Sequence, residues 1–522
     1  MITTDAPQTV TPPIVEETPA PKIHWLIWGI IVAAVLAAIG LSVWSIFFSK
    51  PTTTAKKDIP SLTYGVIAGP LNTYFPNSDL GVDAYTYNEQ IFEGLVTYRD
   101  RKIVPNLATS WTNPDTSTWI FNLKPGVKFH SGRTMTAADV KFSVEQARGK
   151  PYGDLFASTV KSVDVVGTNQ VKITTDSPDP ILLNKLIFLY VVDSKSSSPG
   201  TAITGTGPYT LKTGSQNTAD AADLVAFDQY QGGHVYTREL HFRVFGDDTA
   251  MTAALKQGKV NLATFSDIAV ADSLKGKYYP FYIDDPTVFS FVFNVQNHVG
   301  PLQKLKVRQA IYQAIDVDAF IKAIGAKGTP ADQIVVKDIP GYNPDIVRPA
   351  FDQTAAKKLL ADAGYPNGFT MTFSYPENIS LLQSVADEVK RQLAGVGITV
   401  NLEKLNTEHR GDPYEGKSEM FFTGYASDLL DLSDAIATEF QGPNYDNPTV
   451  DALMLDANKT FDPAKRLSIL QDASKTLMDD VAYAPIYSGV APYLLDKSNY
   501  IMPVDIPATA YPGVYFWRVY QQ

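Results

Sequence analysis

The amino-acid sequence predicts a protein of the α/β class that is built from more than one compact region. Its 522 residues are roughly three times the length of an ordinary domain of about 150 residues. Hydrophobic residues make up 44% and charged residues 19%, a composition that can fill a large core. Between residues 304 and 405 helical and strand patterns alternate, which is typical of an α/β lobe.

The individual elements follow from local patterns along the chain. Residues 62–69 have the apolar, β-branched character of a strand, and residues 84–98 have a helical period. Residues 117–129 predict two strands joined by a Lys-Pro-Gly turn, and residues 160–175 predict a hairpin. The remaining predicted helices span 304–325, 353–365, 380–397 and 463–481, and the remaining strands span 398–405, 419–427 and 484–497.

Composition and motifs exclude several kinds of site. A net charge of −11 without clustered Lys and Arg argues against nucleic acid as a partner. The absence of cysteine excludes disulfides, thiolate catalysis and cysteine-based zinc sites. None of the six histidines has a histidine four residues away, and the chain contains no G-x-S-x-G elbow or phosphate loop. We therefore predict that the chain is not an enzyme and holds neither a cofactor nor a metal.

An uncharged apolar run, Trp25–Phe48, predicts one transmembrane helix with bounds of 24–48. A bilayer core requires about 20 such residues, and tryptophans lie towards both ends of the run, where the interface favours them. Residues 1–23 predict a disordered cytoplasmic tail, and residues 49–60 predict a linker. The positive-inside rule alone would put the C-terminal part in the cytoplasm, whereas long domains cross membranes largely regardless of flanking charge. Flanking charge therefore leaves the orientation open.

Eight segments after residue 62 together resemble one family. In chain order they span 91–99, 103–111, 118–145, 205–212, 293–316, 351–369, 385–405 and 424–440, and they include TWIFNLKPGVKFHSGRTMTAADVKFSVE and GTGPYTLK. They resemble the peptide- and nickel-type extracytoplasmic solute-binding proteins of ABC importers, and they occur in that family's order. The resemblance covers nearly all of residues 62–522.

This resemblance implies a solute-binding domain over residues 61–522, preceded by the transmembrane helix. The implied fold is two-lobed and periplasmic-binding-protein-like, with a hinge and an extra subdomain. The first lobe would comprise about 61–90, 200–295 and 485–522, the subdomain about 91–199, and the second lobe about 296–484. The two lobes would close on a ligand in the cleft between them.

The stretch 121–145 contains a histidine, a glycine turn and a helix start, and the resemblance identifies it as scaffold. Gly132 permits a positive φ, and Thr136 is placed to cap the following helix. Asp139 stands three residues after Thr136, as in a capping box. We therefore expect His130 to make a structural hydrogen bond rather than to take part in chemistry.

The resemblance also indicates ligand-binding residues at the end of the strand 419–427. In peptide-binding relatives the matching motif leads to an aspartate that holds the α-ammonium of the ligand. Here Gly424, Tyr425, Ser427 and Asp428 fill those positions. An alternative role for Asp428 is to cap the acidic helix that follows, and core packing explains Tyr425 nearly as well.

Two further features of this region affect the predicted ligand. We expect Asp431 and Asp434, which follow Asp428, to be solvated. Some dipeptide-specific relatives supply an arginine just before the helix 380–397, where it clasps the carboxylate of the ligand. Residues 374–385 contain no arginine, so carboxylate capture is unsupported, and longer peptides or a different solute are favoured.

The resemblance implies a membrane-tethered, extracytoplasmic substrate-binding component of an ABC importer. Its expected partners are a peptide ligand and permease subunits, without nucleic acid, and we expect a monomer. Since the chain has no cysteine to carry a lipid, the helix 24–48 would be its single-pass anchor in the cell membrane. Two alternatives stay open: the same fold binding an oligosaccharide or a metal chelate, and a tethered sensor without a permease.

Overall fold

The computed structural model of the chain describes residues 56–67, 71, 76, 85–99, 101–196, 204–214, 218–296, 300–377, 379–427, 429–439, 442–496, 500–502 and 515–521. The predicted tail (1–23), the predicted transmembrane helix (24–48) and the predicted linker as far as residue 55 lie outside these ranges. Within the described ranges, no helix combines the length and apolar character needed to cross a membrane.

A mixed sheet of eleven strands runs through the domain and connects its two halves. With strands numbered along the chain, the order across the sheet is β10 (Tyr209–Leu211), β11 (Ala221–Ala226), β12 (Glu239–Phe245), β1 (Leu62–Ile67), β13 (Leu262–Thr264), β19 (Tyr483–Leu495), β14 (Tyr279–Phe293), β18 (Met420–Tyr425), β16 (Thr370–Pro376) and β17 (Thr399–Leu405), with β15 (Gly328–Pro330) paired to β19. The parallel strands β12, β1 and β13 lie in one half, and the parallel strands β16 and β17 lie in the other.

The antiparallel pair β14 and β19 connects the two halves, because these strands of 15 and 13 residues are long enough to belong to both. Their pairing is interrupted in the middle. Asp284 faces Val490 and Val288 faces Ser488, so four steps along β14 correspond to two along β19. The extra residues form a bulge at 285–287, which we call the hinge bulge. Bulges bend and twist a strand. This bulge lies in the strand pair that connects the two halves, where a two-lobed fold is expected to have its hinge.

A second sheet lies between β1 and β10 in the sequence. Its antiparallel order is β5 (Ala108–Asp115), β6 (Thr118–Leu123), β8 (Gln170–Thr175) and β7 (Val160–Gly167). Three two-stranded pairings accompany it: β2 (Glu93–Gly94) with β9 (Tyr190–Val191), β3 (Val96–Arg99) with β4 (Lys102–Pro105), and β20 (Tyr500–Ile501) with β21 (Tyr520–Gln521). The predicted hairpin 160–175 is confirmed by the pair of β7 and β8.

The helices pack their apolar faces on these sheets. They are α1 (Tyr85–Ile91), α2 (Ala137–Ala147), α3 (Pro151–Ala157), α4 (Leu182–Phe188), α5 (Asp248–Lys256), α6 (Ile268–Ser273), α7 (Leu305–Ala314), α8 (Val317–Ala323), α9 (Gln353–Asp362), α10 (Ser380–Ala394), α11 (Leu432–Glu439), α12 (Pro448–Ala457) and α13 (Pro463–Asp480). In α10, Val385, Ala386, Val389 and Leu393 share one face and are fully buried. This face packs on β16 and β17, as the alternation of patterns between 304 and 405 predicts.

Three local predictions were wrong in detail. The helix predicted over 84–98 ends at Ile91, and β2 and β3 follow it. Residues 127–129 form a single bridge from Lys128 to Thr134 instead of a second strand. The helix predicted over 304–325 is divided into α7 and α8, because the side chain of Asp316 accepts a hydrogen bond from the Ala319 N–H and starts a new helix.

The stretch 121–145 is scaffold, as predicted. The His130 Nδ1 accepts a hydrogen bond from the Gly205 N–H (3.3 Å), and the Nε2–H donates to the Gly207 carbonyl oxygen (3.0 Å). Burial lowers the pKa of His130 to about 4, so the ring is neutral at pH 7. Gly132 has a φ of 83°, and the Asp139 carboxylate accepts from the Thr136 N–H (2.8 Å), which completes the predicted capping box.

Candidate functional site

The cavity that fits a ligand lies at the hinge bulge. It has a volume of about 340 Å³, within the range of ligand pockets, which starts near 300 Å³. Its walls come from three parts of the chain: the bulge of β14, the facing stretch of β19, and the loop that follows β15. A fourth contribution is Arg101, from the turn between β3 and β4. The cavity therefore brings together elements that are distant in sequence and that meet where the two halves join.

Charged side chains of both signs line this cavity. Asp285 stands on the hinge bulge, Asp284 just before it, and Asp332 on the loop after β15. The Asp285 carboxylate also accepts a hydrogen bond from the Thr287 N–H (2.9 Å). Lys337 and Arg101 supply positive charge from the other walls. Such a lining suits a small ligand that carries both an ammonium and a carboxylate.

A smaller cavity, of about 60 Å³, lies beside α1 and is too small for a peptide. Glu93 lines it and is 6% exposed. Its carboxylate accepts hydrogen bonds from the Gln231 Nε2–H (2.8 Å) and from the Tyr230 hydroxyl (3.3 Å). Burial raises the pKa of Glu93 to about 7.

The predicted ligand-binding strand pairs with β14, which lines the larger cavity, but no described residue of β18 lines the cavity itself. Tyr425 of β18 faces Val288, which lines the cavity beside the hinge bulge, and Gly424 faces Phe289. A Cβ atom on Gly424 would lie 2.6 Å from the Phe289 ring and 2.8 Å from the Thr287 side chain. The close packing of β14 on β18 therefore requires glycine at this position.

The edge of β18 away from β14 is largely unpaired by other strands. In the described part of the sheet, β16 meets β18 only at Met420, so Phe421–Tyr425 have a strand neighbour on one side alone. The Tyr414 side chain covers part of this region, with its hydroxyl 2.9 Å from the Thr423 hydroxyl. An extended ligand could pair its main chain with this edge.

The side chains of Tyr425 and Ser427 make hydrogen bonds within the protein. The Tyr425 hydroxyl donates to the Asp434 carboxylate (3.1 Å). The Ser427 hydroxyl donates to the Asp431 carbonyl oxygen (2.9 Å) and accepts from the Asp431 N–H (2.8 Å). Ser427 thus bonds twice to the backbone of Asp431, and Asp428 lies outside the described residues.

The expectation that Asp431 and Asp434 are solvated was wrong. Asp431 is 1% exposed and Asp434 is 5% exposed. Asp431 accepts two hydrogen bonds from the guanidinium of Arg466 in α13, at 2.6 and 2.9 Å. Asp434 accepts from the Leu429 N–H (3.1 Å) as well as from Tyr425. Both carboxylates are buried because each has a partner that compensates for the loss of water.

Sequence reasoning missed the charged residues of the cavity. Asp284, Asp285, Arg101 and Lys337 match no motif, and they meet through tertiary contacts alone. One sequence signal could have found the bulge, because Pro286 interrupts a strand pattern, and proline inside a strand favours a bulge. The part of the chain that the structure describes contains no group of three or more His, Asp and Glu side chains placed to hold a metal ion.

Comparisons with known proteins show the family of the chain. The model of the bacterial extracellular solute-binding proteins, family 5 Middle, matches residues 102–447. The glutathione-binding protein GsiB of Pectobacterium atrosepticum is 28% identical over 495 residues, which cover 88% of this chain and 91% of that protein. The resemblance predicted from the sequence is therefore confirmed.

Solved structures agree with the two-lobed fold. The substrate-binding protein CtaP of Listeria monocytogenes superimposes with a TM-score of 0.80 at 23% identity, covering 89% of this chain and 100% of CtaP. The periplasmic binding protein DppA of Helicobacter pylori, in complex with the peptide STSA, gives a TM-score of 0.69 at 23% identity, covering 89% of this chain and 98% of DppA. The predicted limits of the lobes and of the subdomain stay predictions.

Proposed function

This chain belongs to family 5 of the bacterial extracellular solute-binding proteins, the substrate-binding components of peptide-type ABC importers, and we propose that its ligand is a short peptide such as glutathione. It is a binding protein, not an enzyme. The observation that supports a peptide is the cavity of about 340 Å³, which carries charges of both signs and is lined by β14, the strand that pairs with β18. The charged ends of a short peptide would find partners of opposite sign among the side chains that line it.

Glutathione itself would suit the lining of the cavity. It is a tripeptide with one ammonium and two carboxylates, so it requires both acidic and basic partners. Asp285 on the hinge bulge and Asp284 just before it offer negative charge, and Asp428 is the proposed partner of the ammonium. In a closed cleft that excludes water, each of these polar contacts would be strengthened.

The proposed location is the outer side of the cell membrane. The helix 24–48 would anchor the chain and leave the binding domain outside, near permease subunits to which it delivers the ligand. Tethering raises the effective concentration of the binding domain at the permease. The full-length protein should then sediment with membranes and be cut by protease added to intact cells. Protection of residues 49–522 from that protease would contradict the orientation.

Calorimetric titration of the purified protein tests the ligand class. Glutathione, trialanine, a maltotriose-type oligosaccharide and a nickel chelate would each be titrated under the same conditions, after a native mass spectrum has identified any co-purified ligand. We expect binding of at least one of the peptides and none of the oligosaccharide or chelate. Binding of the oligosaccharide or chelate without either peptide would reject the proposed ligand class.

A further inference from the structure

Arg101 and Asp338 have the same unusual backbone conformation and contact one another. Arg101 has a φ of 60° and Asp338 a φ of 77°, and residues with a Cβ rarely adopt such values. The described residues other than glycine include four with a positive φ: Arg101, Asp338, Leu430 and Val481. Two of these four form an ion pair with each other, between the turn of β3 and β4 and the loop after β15. Strained backbone conformations of this kind cluster at ligand-binding sites.

In this ion pair, a ligand carboxylate could replace Asp338 as the partner of Arg101. Arg101 lines the cavity, and the side chains of Arg101 and Asp338 are 49% and 38% exposed. Exposed ion pairs contribute little stability, so replacing one carboxylate by another costs little. Lys337, next to Asp338, lines the same cavity and has no ion-pair partner among the described residues. The cavity therefore has one lightly held cation, Arg101, and one unpaired cation, Lys337. Asp332, on the same loop as Lys337, also lines the cavity and accepts a hydrogen bond from the Arg348 N–H (3.1 Å).

Acidic side chains also line the cavity. Asp285 on the hinge bulge and Asp284 just before it stand on a different element from Arg101 and Lys337. A ligand with an ammonium at one end and a carboxylate at the other would find partners for both in this lining. No arginine stands in residues 374–385 to supply the carboxylate contact from that side of the cleft.

We propose that Arg101 recognises the carboxylate of the ligand, assisted by Lys337, and that Asp338 occupies Arg101 until the ligand replaces it. This inference rests on the proposed peptide ligand and adds the residue that selects for a free carboxylate. A guanidinium suits this role because it offers two parallel N–H donors to a carboxylate. A peptide whose C-terminus is amidated would not displace Asp338 and would bind less tightly.

The test compares trialanine with trialanine amide on four forms of the protein by calorimetric titration. The forms are the wild type, Arg101→Gln, Asp338→Asn, and Lys102→Gln as the matched control from the same turn. Lys102 is exposed and is not part of the cavity lining. We expect Arg101→Gln to weaken binding of the free acid roughly ten- to a hundredfold, the scale of a charged hydrogen bond, and to leave the amide unchanged. Asp338→Asn should tighten binding of the free acid, because it removes the competing carboxylate, and Lys102→Gln should change neither peptide.

Each other outcome has a defined meaning. Equal weakening of acid and amide by Arg101→Gln would overturn the inference, because the ion pair would then act only on the shape of the cleft. Weaker acid binding in Asp338→Asn would overturn it as well. If Arg101→Gln lowers the melting temperature, the titrations are repeated with Arg101→Lys in place of that variant. Lysine keeps the positive charge, so this variant should still bind trialanine more tightly than trialanine amide. Failure of both peptides and glutathione to bind the wild type would reject the proposed function itself, whereas equal binding of acid and amide to the wild type would reject this inference alone.

Discussion

Replacing Asp431 by asparagine would test how firmly the loop after β18 is held. The Asp431 carboxylate is 1% exposed, and Arg466, its partner in α13, is 8% exposed. Besides the two bonds from Arg466, one carboxylate oxygen accepts from the Ser433 N–H (3.0 Å) and hydroxyl (2.6 Å). Asparagine keeps the size of the side chain and one acceptor, but it leaves the guanidinium of Arg466 buried without a counter-charge.

The expected loss of stability is large because the remaining charge cannot return to water. Removing one partner of a buried ion pair typically costs about 3–5 kcal/mol. A matched control is available on the same helix, where Lys475 and Asp479 form an i,i+4 pair with 58% and 65% exposure. Exposed helical pairs of this kind are worth about 0.3–0.5 kcal/mol. We therefore expect Asp431→Asn to destabilise the protein several times more than Asp479→Asn does.

Unfolding in urea, followed by circular dichroism, measures this difference between the two variants. Hydrogen exchange over residues 429–439 would show whether the loss is concentrated in the segment that contains Asp431 and Asp434. The double variant Asp431→Leu/Arg466→Met should recover most of the stability, since buried ion pairs are often replaceable by apolar side chains. If Asp431→Asn costs no more than Asp479→Asn, the ion pair does not hold this loop, and the reasoning fails.

Three further predictions concern single side chains. His130→Gln should lower the free energy of unfolding at pH 7 without changing peptide affinity. The difference in free energy of unfolding between the wild type and this variant should shrink as pH falls from 6.5 towards 4. Burial lowers the pKa of His130 to about 4, so the unfolded state binds the proton first. Urea unfolding at pH 7 and 4.5 measures this difference. Glu93→Gln should stabilise the protein relative to the wild type as pH rises from about 4.5 through 7. Burial raises the pKa of Glu93 to about 7, so in the wild type the unfolded state ionises first. A difference in free energy of unfolding that does not change between pH 5 and 8 would contradict this prediction. Asp428→Asn should weaken binding of free-amine tripeptides roughly ten- to a hundredfold and leave binding of N-acetylated tripeptides unchanged, as measured by calorimetry. If both kinds of peptide lose affinity equally, Asp428 acts only as a helix cap.

The sequence predicted best those features that depend on nearby residues. Gly132 and the pair of Thr136 and Asp139 lie within eight residues, and their conformation follows from local steric and hydrogen-bonding rules. The role of His130 was also predictable, although its partners Gly205 and Gly207 are more than 70 residues away. That role was predicted from the family resemblance of the stretch 121–145.

Asp431 and Asp434 illustrate what local patterns do not reveal. Both side chains were expected to be solvated, as most carboxylates are. Arg466 stands 35 residues beyond Asp431, in a helix whose own pattern gives no sign of an inward-facing guanidinium. Because the desolvation of a carboxylate is compensated only by a specific partner, burial of charge cannot be inferred until that partner is known.

The hinge bulge links the fold of this protein to its proposed ligand. A continuous β14–β19 pair would be stiff, because its hydrogen bonds would continue without a break along both strands. The extra residues at 285–287 interrupt that pairing, and bulges of this kind bend a strand. Asp285 on the bulge and Asp284 just before it line the cavity. In the proposed function this segment would bend as the cleft closes, so a ligand that contacts these residues would couple binding to closure through a single short segment of β14.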